Sequence, residues 1–478
     1  MTTPDTPRGI VTRIVITGDL VLTAPAHLGS GEPADVVDMT LLRDARAGVP
    51  LLPGTSLAGA LRGELLSRLG GDRTIEQLAH GITALLGGMK GDDDGAQSPL
   101  IIEDAYAART SAEVRDGVKI DPGRRTAHDA AKYDIELLPA GTRFPLRFEL
   151  LLDANADTTR TRMSLLARAL AGLEEGAIRI GARRSRGYGT CRVAQWQVRT
   201  YDLRQRAGLL AWLAEGLGGY DLPAEAVVAG TAAQVLGVAP DATDKRHRFR
   251  LTLDCAIDGA LLVRSDAMLT SSGAQPDFVH LRDMAGKPLL PGTSLAGALR
   301  ARALRIVDAC RPGQAQQVVD DLFGRDLHIA RAAPTMSRLQ VREALIDGGT
   351  TVVQSRVSID RFTGGALDTA LFSEAPQFGG GLRLEIELIK PEGYEIGLLL
   401  LLLKDLWTGD LALGGEASVG RGRLSGKQAT LTLQTPELDE PQTWTIRDDD
   451  GRLQVDGDQA ALETYVTALS QEEAADGA

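Results

Sequence analysis

The thirteen residues PLLPGTSLAGALR occur twice without a change, at residues 50–62 and 288–300. The match runs on in both directions. Upstream, Asp38 and Asp277 are 239 residues apart, as are Asp44 and Asp283; one loop residue is then lost, so Pro53 and Pro291 are 238 apart. Downstream, Ile120-Asp121 faces Ile359-Asp360, Asp129 faces Asp368 and Tyr133 faces Phe372, all again at 239. Finally Gly181, Gly187 and Gly189 match Gly414, Gly420 and Gly422 in a G-x5-G-x-G pattern. The landmarks keep their order over most of each half, which is the signature of a tandem duplication. The first copy is expected at residues 9–200 and the second at 246–432. A helix-containing connector, 201–245, lies between them, and an acidic extension, 433–478, is expected to be partly disordered.

Within one copy the sequence reads as strand, helix, insertion, strand, helix, strand. IVTRIVITGDLVL alternates and is β-branched, the pattern of a strand. Pro-Gly then stops the chain, and Thr55 or Ser56 is placed to cap a helix running through LAGALRGELL. Residues 88–140 show little periodicity. FPLRFELLLDA is strand-like, TRMSLLARALAGLEE is helical and TCRVAQWQVR is again a strand. The fold class is therefore α/β (α+β): two ferredoxin-like domains in tandem, each with a large inserted arm.

Composition limits the function. With 43% hydrophobic residues most of the chain is globular. No apolar run is long and clean enough to span a membrane, because IGLLLLLLKDLW is short and contains Lys404 and Asp405. The N-terminus lacks the charged-then-apolar order of a signal peptide, so the expected location is cytoplasmic. Cys191, Cys255 and Cys310 form no metal-ligand spacing. The net charge of −12 argues weakly against nucleic acid, but steering acts through local patches. Basic clusters stand at Arg124-Arg125, at 183–186 and at 245–250, while acid gathers at Asp92–Asp94 and in the tail. Aromatics at 4% disfavour recognition by base stacking on a sheet.

Three motifs carry chemistry. In PGTSLAGALR, the helix start at Gly54, Thr55 and Ser56 (Gly292, Thr293 and Ser294 in the second copy) offers backbone N–H groups to an anion, and Arg62 or Arg300 lies two turns along. The alternative is a tight, capped core helix. In GARRSRGYG, Arg183, Arg184 and Arg186 can neutralise phosphates, and Gly187, Tyr188 and Gly189 let the backbone approach closely. The second copy keeps Gly420, Arg421 and Gly422 but has Glu416, Ala417 and Val419 where the arginines were. The alternative is a solvated turn. Asp38 and Asp277 are loop aspartates. Such residues are usually turn formers, but a carboxylate beside a phosphodiester can hold a divalent metal or help to activate a nucleophile. His27 reads as a surface histidine, with Met268 near its place in the second copy.

Together the D-x5-D loop, PLLPGTSLAGALR, the IDR-x-TG-A segment from Ile359 to Ala366 and the terminal glycine loop resemble the RAMP superfamily of CRISPR-associated proteins. The similarity is nearest to the fused backbone subunits of type III effector complexes, such as those of the III-D systems. The resemblance implies that each inserted arm is a thumb hairpin kinking a guide–target duplex, and that the helix motif and glycine loop hold the guide RNA. It also implies that Asp38 and Asp277 each cut single-stranded target RNA with Mg2+ or Mn2+, alongside other CRISPR effector subunits and without a membrane. The first copy reads IDPGRRTAHDA where the family pattern is IDR-x-TG-A. A scaffold without catalysis and an endonuclease that processes the guide precursor are the other functions considered.

Overall fold

The computed structural model describes residues 9–31, 37–70, 75–88, 97–121, 123–124, 126–215, 227–239, 244–265, 276–325, 335–438, 440–449 and 451–471. Asp92–Asp94, Arg125, Met268 and the last seven residues of the tail lie outside these.

The first copy comprises β1 (Thr12–Leu22), α1 (Gly54–Gly70), α2 (Ile75–Leu86), β2 (Leu100–Ile102), β3 (Glu113–Ile120), β4 (Ala127–Leu137), β5 (Arg143–Leu152), α3 (Ala156–Glu174) and β6 (Cys191–Asp202). After α4 (Arg206–Ala214), β7 (Val227–Gly230) joins its sheet, whose order is β2-β5-β1-β6-β7. The four strands β1, β2, β5 and β6, all paired antiparallel with helices between, form the ferredoxin-like arrangement. The sequence pattern accounts for three of these strands. The fourth, β2, is only three residues long and is hidden in the stretch without periodicity. The inserted arm is a hairpin of β3 and β4 with a bulge between Val118 and Ile120.

The second copy repeats this with β8 (Arg248–Asp258), β9 (Arg264–Ser265), β10 (Phe278–His280), α5 (Gly292–Cys310), α6 (Ala315–Phe323), β11 (Leu339–Val341), β12 (Gln354–Ile359), β13 (Ala366–Ala375), β14 (Gly381–Ile389), α7 (Gly393–Trp407) and β15 (Arg423–Gln434). Its hairpin, β12 with β13, carries its bulge at the matched place, between Val357 and Ile359. β8 is paired to β14 and β15 as β1 is to β5 and β6.

The repeated thirteen residues lay one apolar stripe on each sheet. Leu57 and Leu61 in the first copy, and Leu295 and Leu299 in the second, are buried at i and i+4, with each full burial contributing roughly 1.5–3 kcal/mol. Neither Thr nor Ser caps these helices. They begin at the glycine, with Pro291 as the N-cap of α5 and no side-chain cap bond there. In the first copy, Asp104 Oδ1 accepts the Gly54 N–H at 2.7 Å, which leaves the hydroxyls in the first turn rather than at the cap.

The extension expected to fray is folded through Ser470. β16 (Gln442–Asp449) and β17 (Arg452–Asp456) continue the second sheet beyond β15. α8 (Gln459–Ser470) packs on α7. Trp444 is fully buried and donates its indole N–H to Asp458 O at 2.8 Å. Buried Arg311 donates to the carbonyls of Ala468, Leu469 and Gln471, closing the C-terminal end of α8. The acidic composition of the tail conceals this apolar anchor.

Candidate functional site

Each loop aspartate is held against the second strand of its own hairpin. Asp38 Oδ2 accepts the backbone N–H of Asp134 in β4 at 2.9 Å. Asp277 Oδ2 accepts the N–H of Ser373 in β13 at 2.7 Å and its hydroxyl at 3.2 Å. Asp134 and Ser373 are themselves 239 residues apart, so the two copies make the same contact. The residues after the aspartates run parallel to the same strands, Met39 beside Ile135 and Phe278 beside Glu374. Both aspartates remain exposed at the root of the hairpin.

In each copy an arginine lies over an aromatic ring and against the residue that follows the aspartate, Met39 or Phe278. In the first copy the Arg183 guanidinium sits 4.3 Å from the Tyr133 ring centre, bonds the Tyr133 hydroxyl and reaches Met39 Sδ at 3.6 Å. In the second, Phe372 takes the place of Tyr133 and stands edge-on to Phe278. There the guanidinium comes from Arg264, 4.1 Å from the Phe278 ring.

The other residues singled out by sequence divide into buried and exposed sets. Gly189 and Gly422 have φ of +78° and +80°, and a Cβ on either would collide with the carbonyl of Ile180 or Leu413. These glycines close the loop. Arg184 and Arg186 are exposed, as are Thr55 and Ser56, with Thr293 and Ser294 half-buried. Arg62 donates to Leu86 O at 2.9 Å and Gly87 O at 3.0 Å. Arg300 does the same to Gly324 O at 2.7 Å. Both side chains thus tie down the end of the following helix. Arg421 is buried and paired with Glu374 and Glu416.

Gly187 and Tyr188 lie at a joint between the copies. Val341 N–H donates to Ser185 O at 2.9 Å, and Arg186 pairs with Val341 as an isolated bridge. A Cβ on Gly292, at the start of α5, would collide with Arg186 O, and one on Gly187 would meet Glu343 N. Tyr188 itself is buried against Ile135 and Leu137.

Two sequence expectations change here. His27 is not on the surface. It is 2% exposed, and its Nδ1 donates to Glu136 O at 2.8 Å. Its counterpart is Leu262, since Ala182 N–H bonds His27 O as Gly415 N–H bonds Leu262 O. The basic run 245–250 is also largely neutralised. Arg246 pairs with Asp244 and Glu64, and Arg248 and Arg250 pair with Glu387. Burial works against the Asp244 charge, but Arg246 and Arg248 overcome it and hold the carboxyl down at about 2. Burial, with Arg246 and Arg250 alongside, pushes Arg248 down to about 10.

The model of the RAMP superfamily matches residues 19–192 and 227–425, more than half of the chain and one region for each copy. The chain belongs to the RAMP superfamily. RAMP proteins are CRISPR-associated and bind RNA. No curated protein matches this one. Among the described residues, no helix of this RAMP protein is long and apolar enough to cross a membrane.

Sequence reasoning missed Asp134, Ser373 and Arg264. The matched Tyr133 and Phe372 were one available signal, since each lies one residue from the strand N–H that receives the aspartate. Among the described residues, no cluster of three or more His, Cys, Asp or Glu side chains could hold a metal. Each copy offers one exposed aspartate, with Asp134 or Ser373 next to it. That donor set fits Mg2+ or Mn2+ only if RNA phosphates complete the coordination, the usual way Mg2+ is held with one or two carboxylates.

Proposed function

We propose that this RAMP protein is a tandem backbone subunit of a type III CRISPR effector complex, related to the III-D kind and working in the cytoplasm. It binds guide RNA together with other effector subunits and cuts the paired target RNA at two places, with Asp38 and Asp277 as the catalytic residues. The observation that carries this reading is the recurrence of an exposed aspartate, fastened by the same backbone N–H at the root of the hairpin in both copies.

In each copy the hairpin strand fixes the carboxylate from one side, so it faces a phosphodiester lying across the hairpin root without first having to be ordered. A divalent ion held between aspartate and phosphate would neutralise charge on the phosphate and favour the nucleophile. The glycine-loop arginines Arg184 and Arg186, together with the first turns of α1 and α5, face the guide backbone and neutralise its charge.

Guide-precursor processing is disfavoured, since the ring of His27 is buried and engaged with a backbone carbonyl. A scaffold without catalysis is the competing reading, favoured by the sparse donor set at each aspartate.

The test assembles the complex with guide RNA, adds labelled target and Mg2+, and compares the wild type with Asp38→Ala, Asp277→Ala and the double variant. Each single variant is expected to lose one distinct cut and the double variant both. Unchanged products in all three variants would show that neither aspartate cuts and would overturn the nuclease reading.

A further inference from the structure

We propose that Arg183 in the first copy and Arg264 in the second are equivalent groups, each gripping the target-RNA phosphate that is cut beside its aspartate. The inference rests on the nuclease reading above and adds a specific phosphate-binding residue to each site.

Sequence position and spatial position disagree for these two arginines. By the glycine-loop register, the counterpart of Arg183 is Glu416. The two share an unusual backbone, with φ of +55° at Arg183 and +62° at Glu416, the left-handed region that non-glycine residues seldom occupy. The loop shape is therefore kept while the charge is reversed. The second copy nevertheless has a guanidinium at its aspartate, delivered by Arg264 from β9, which pairs with β10. Register places Gly29 opposite Arg264 in the first copy, because His27 and Leu262 are counterparts. Two different chain positions thus bring a guanidinium onto an aromatic ring next to the aspartate loop, the hairpin Tyr133 in the first copy and the loop Phe278 in the second.

Packing alone explains this poorly. A cation over a ring at an exposed site contributes only about 0.5–1 kcal/mol, and the Arg264 side chain is 48% exposed. The charge balance gives a second reason. Arg264, Arg356 and Arg421 share two carboxylates, Glu416 and Glu374. Among the described residues these three arginines outnumber their two carboxylates by one, and Arg264 lies on Phe278, the residue after Asp277. In the first copy, the partners of Arg183 are a phenol and a thioether, both neutral. Among the described residues, each site therefore couples an exposed carboxylate with a guanidinium that lies on a ring and has charge to spare: Arg183 meets only neutral groups, and Arg264 shares its carboxylate with two other arginines. A phosphodiester satisfies both features, because the guanidinium can bond two phosphate oxygens while the ring keeps its plane fixed. As negative charge grows on those oxygens during cleavage, the bonds strengthen.

The experiment uses the assembled complex with guide RNA, labelled target and Mg2+. It measures the rate of each cut under saturating target, and target affinity separately. The variants are Arg183→Gln, Arg264→Gln and their Lys counterparts, with Asp38→Ala and Asp277→Ala alongside. Arg183→Gln is expected to slow the cut assigned to Asp38 about tenfold to a hundredfold, and Arg264→Gln the cut assigned to Asp277 by the same factor. The other cut and the target affinity should stay within about twofold, and Lys should restore part of the rate, which a purely structural role would not predict. Should Arg183→Gln fail to assemble, Arg183→Glu, which copies the loop charge of the second copy, must still slow its cut. If the aspartate variants lose their cuts while the arginine variants keep theirs, the inference is overturned and the nuclease reading survives. A fall in rate that only mirrors a fall in affinity overturns it as well. If the aspartate variants keep both cuts, the nuclease reading fails and takes the inference with it.

Discussion

Arg115, in the hairpin of the first copy, forms a buried ion pair with Glu343 of the second, the residue 239 positions beyond Asp104. In the first copy Asp104 bonds the start of its own helix at Gly54. In the second, the matching acid turns to the neighbouring copy instead, and Arg115 also pairs with Glu113. Burial works against the Arg115 charge, but Glu343 and Glu113 outweigh it and raise its pKa. Removing one partner of such a pair leaves a buried charge and costs about 3–5 kcal/mol. Arg115→Ala should therefore weaken the joint between the copies by that order, read as a separation of the two unfolding transitions in urea. A single transition at the wild-type midpoint would contradict the assignment of this pair to the joint.

The duplication, the ferredoxin-like class and the inserted arm were all legible, because each is written as periodicity or as repeated residues. β2 was not, since three residues cannot display a period. The roles of Arg62 and Arg300 were also hidden. An arginine two turns into a helix has the same sequence signature whether it meets a phosphate or the carbonyls that end the next helix. The glycine loop was recognised as a close-approach device, but what approaches Gly187 is the second copy of the chain, a contact no local pattern encodes. The guanidinium of the second site moved from the loop to β9, so aligning the two loops showed only that arginines had been lost.

The arginine roles can be separated by experiment. Arg62→Ala and Arg300→Ala remove charge-assisted bonds to helix-end carbonyls and should lower stability by about 1–3 kcal/mol each. Their effect on guide-RNA affinity should be less than about twofold. Arg184→Ala should do the reverse, weakening guide binding and reducing the slope of log K against log salt by about one unit. Thermal melts and binding titrations at several salt concentrations measure both quantities. A loss of affinity in Arg62→Ala without a loss of stability would restore that residue to the RNA surface.

The copies also fill one equivalent spot with opposite chemistry. Tyr188 packs on Ile135 in the first copy, and their counterparts in the second are Arg421 and Glu374, buried and paired. Glu374→Ile alone leaves Arg421 and Arg356 to share Glu416 and puts an apolar side chain against buried Arg421, and should destabilise the second copy by about 3 kcal/mol. Adding Arg421→Tyr installs the apolar pair of the first copy and should recover most of that loss, since a buried ion pair is often replaceable by apolar residues of similar volume. Denaturant midpoints of the single and double variants give the coupling directly. Additive losses would mean the two sites are not interchangeable.

His280 gives the second copy an acid sensitivity that the first lacks at the matched position. It is 1% exposed, and its Nδ1 accepts the Val263 N–H at 3.2 Å. Burial, with Arg282 adding to it, pushes its pKa from 6.5 down to about 4. The unfolded chain therefore takes up the proton first, so the contribution of the neutral ring is full above about pH 6.5 and is lost as the pH falls towards 4. The first copy has Leu41 at this place, also buried. His280→Leu should cost stability at pH 7 by losing the bond to Val263, yet flatten the decline on acidification. Between pH 7 and pH 5 its loss should be smaller than that of the wild type by about 2 kcal/mol, the value of ~1.5 pK units. Urea titrations of both proteins at the two pH values supply the comparison, in which titrating carboxylates common to both cancel. Parallel declines would show that His280 takes no part in the acid response.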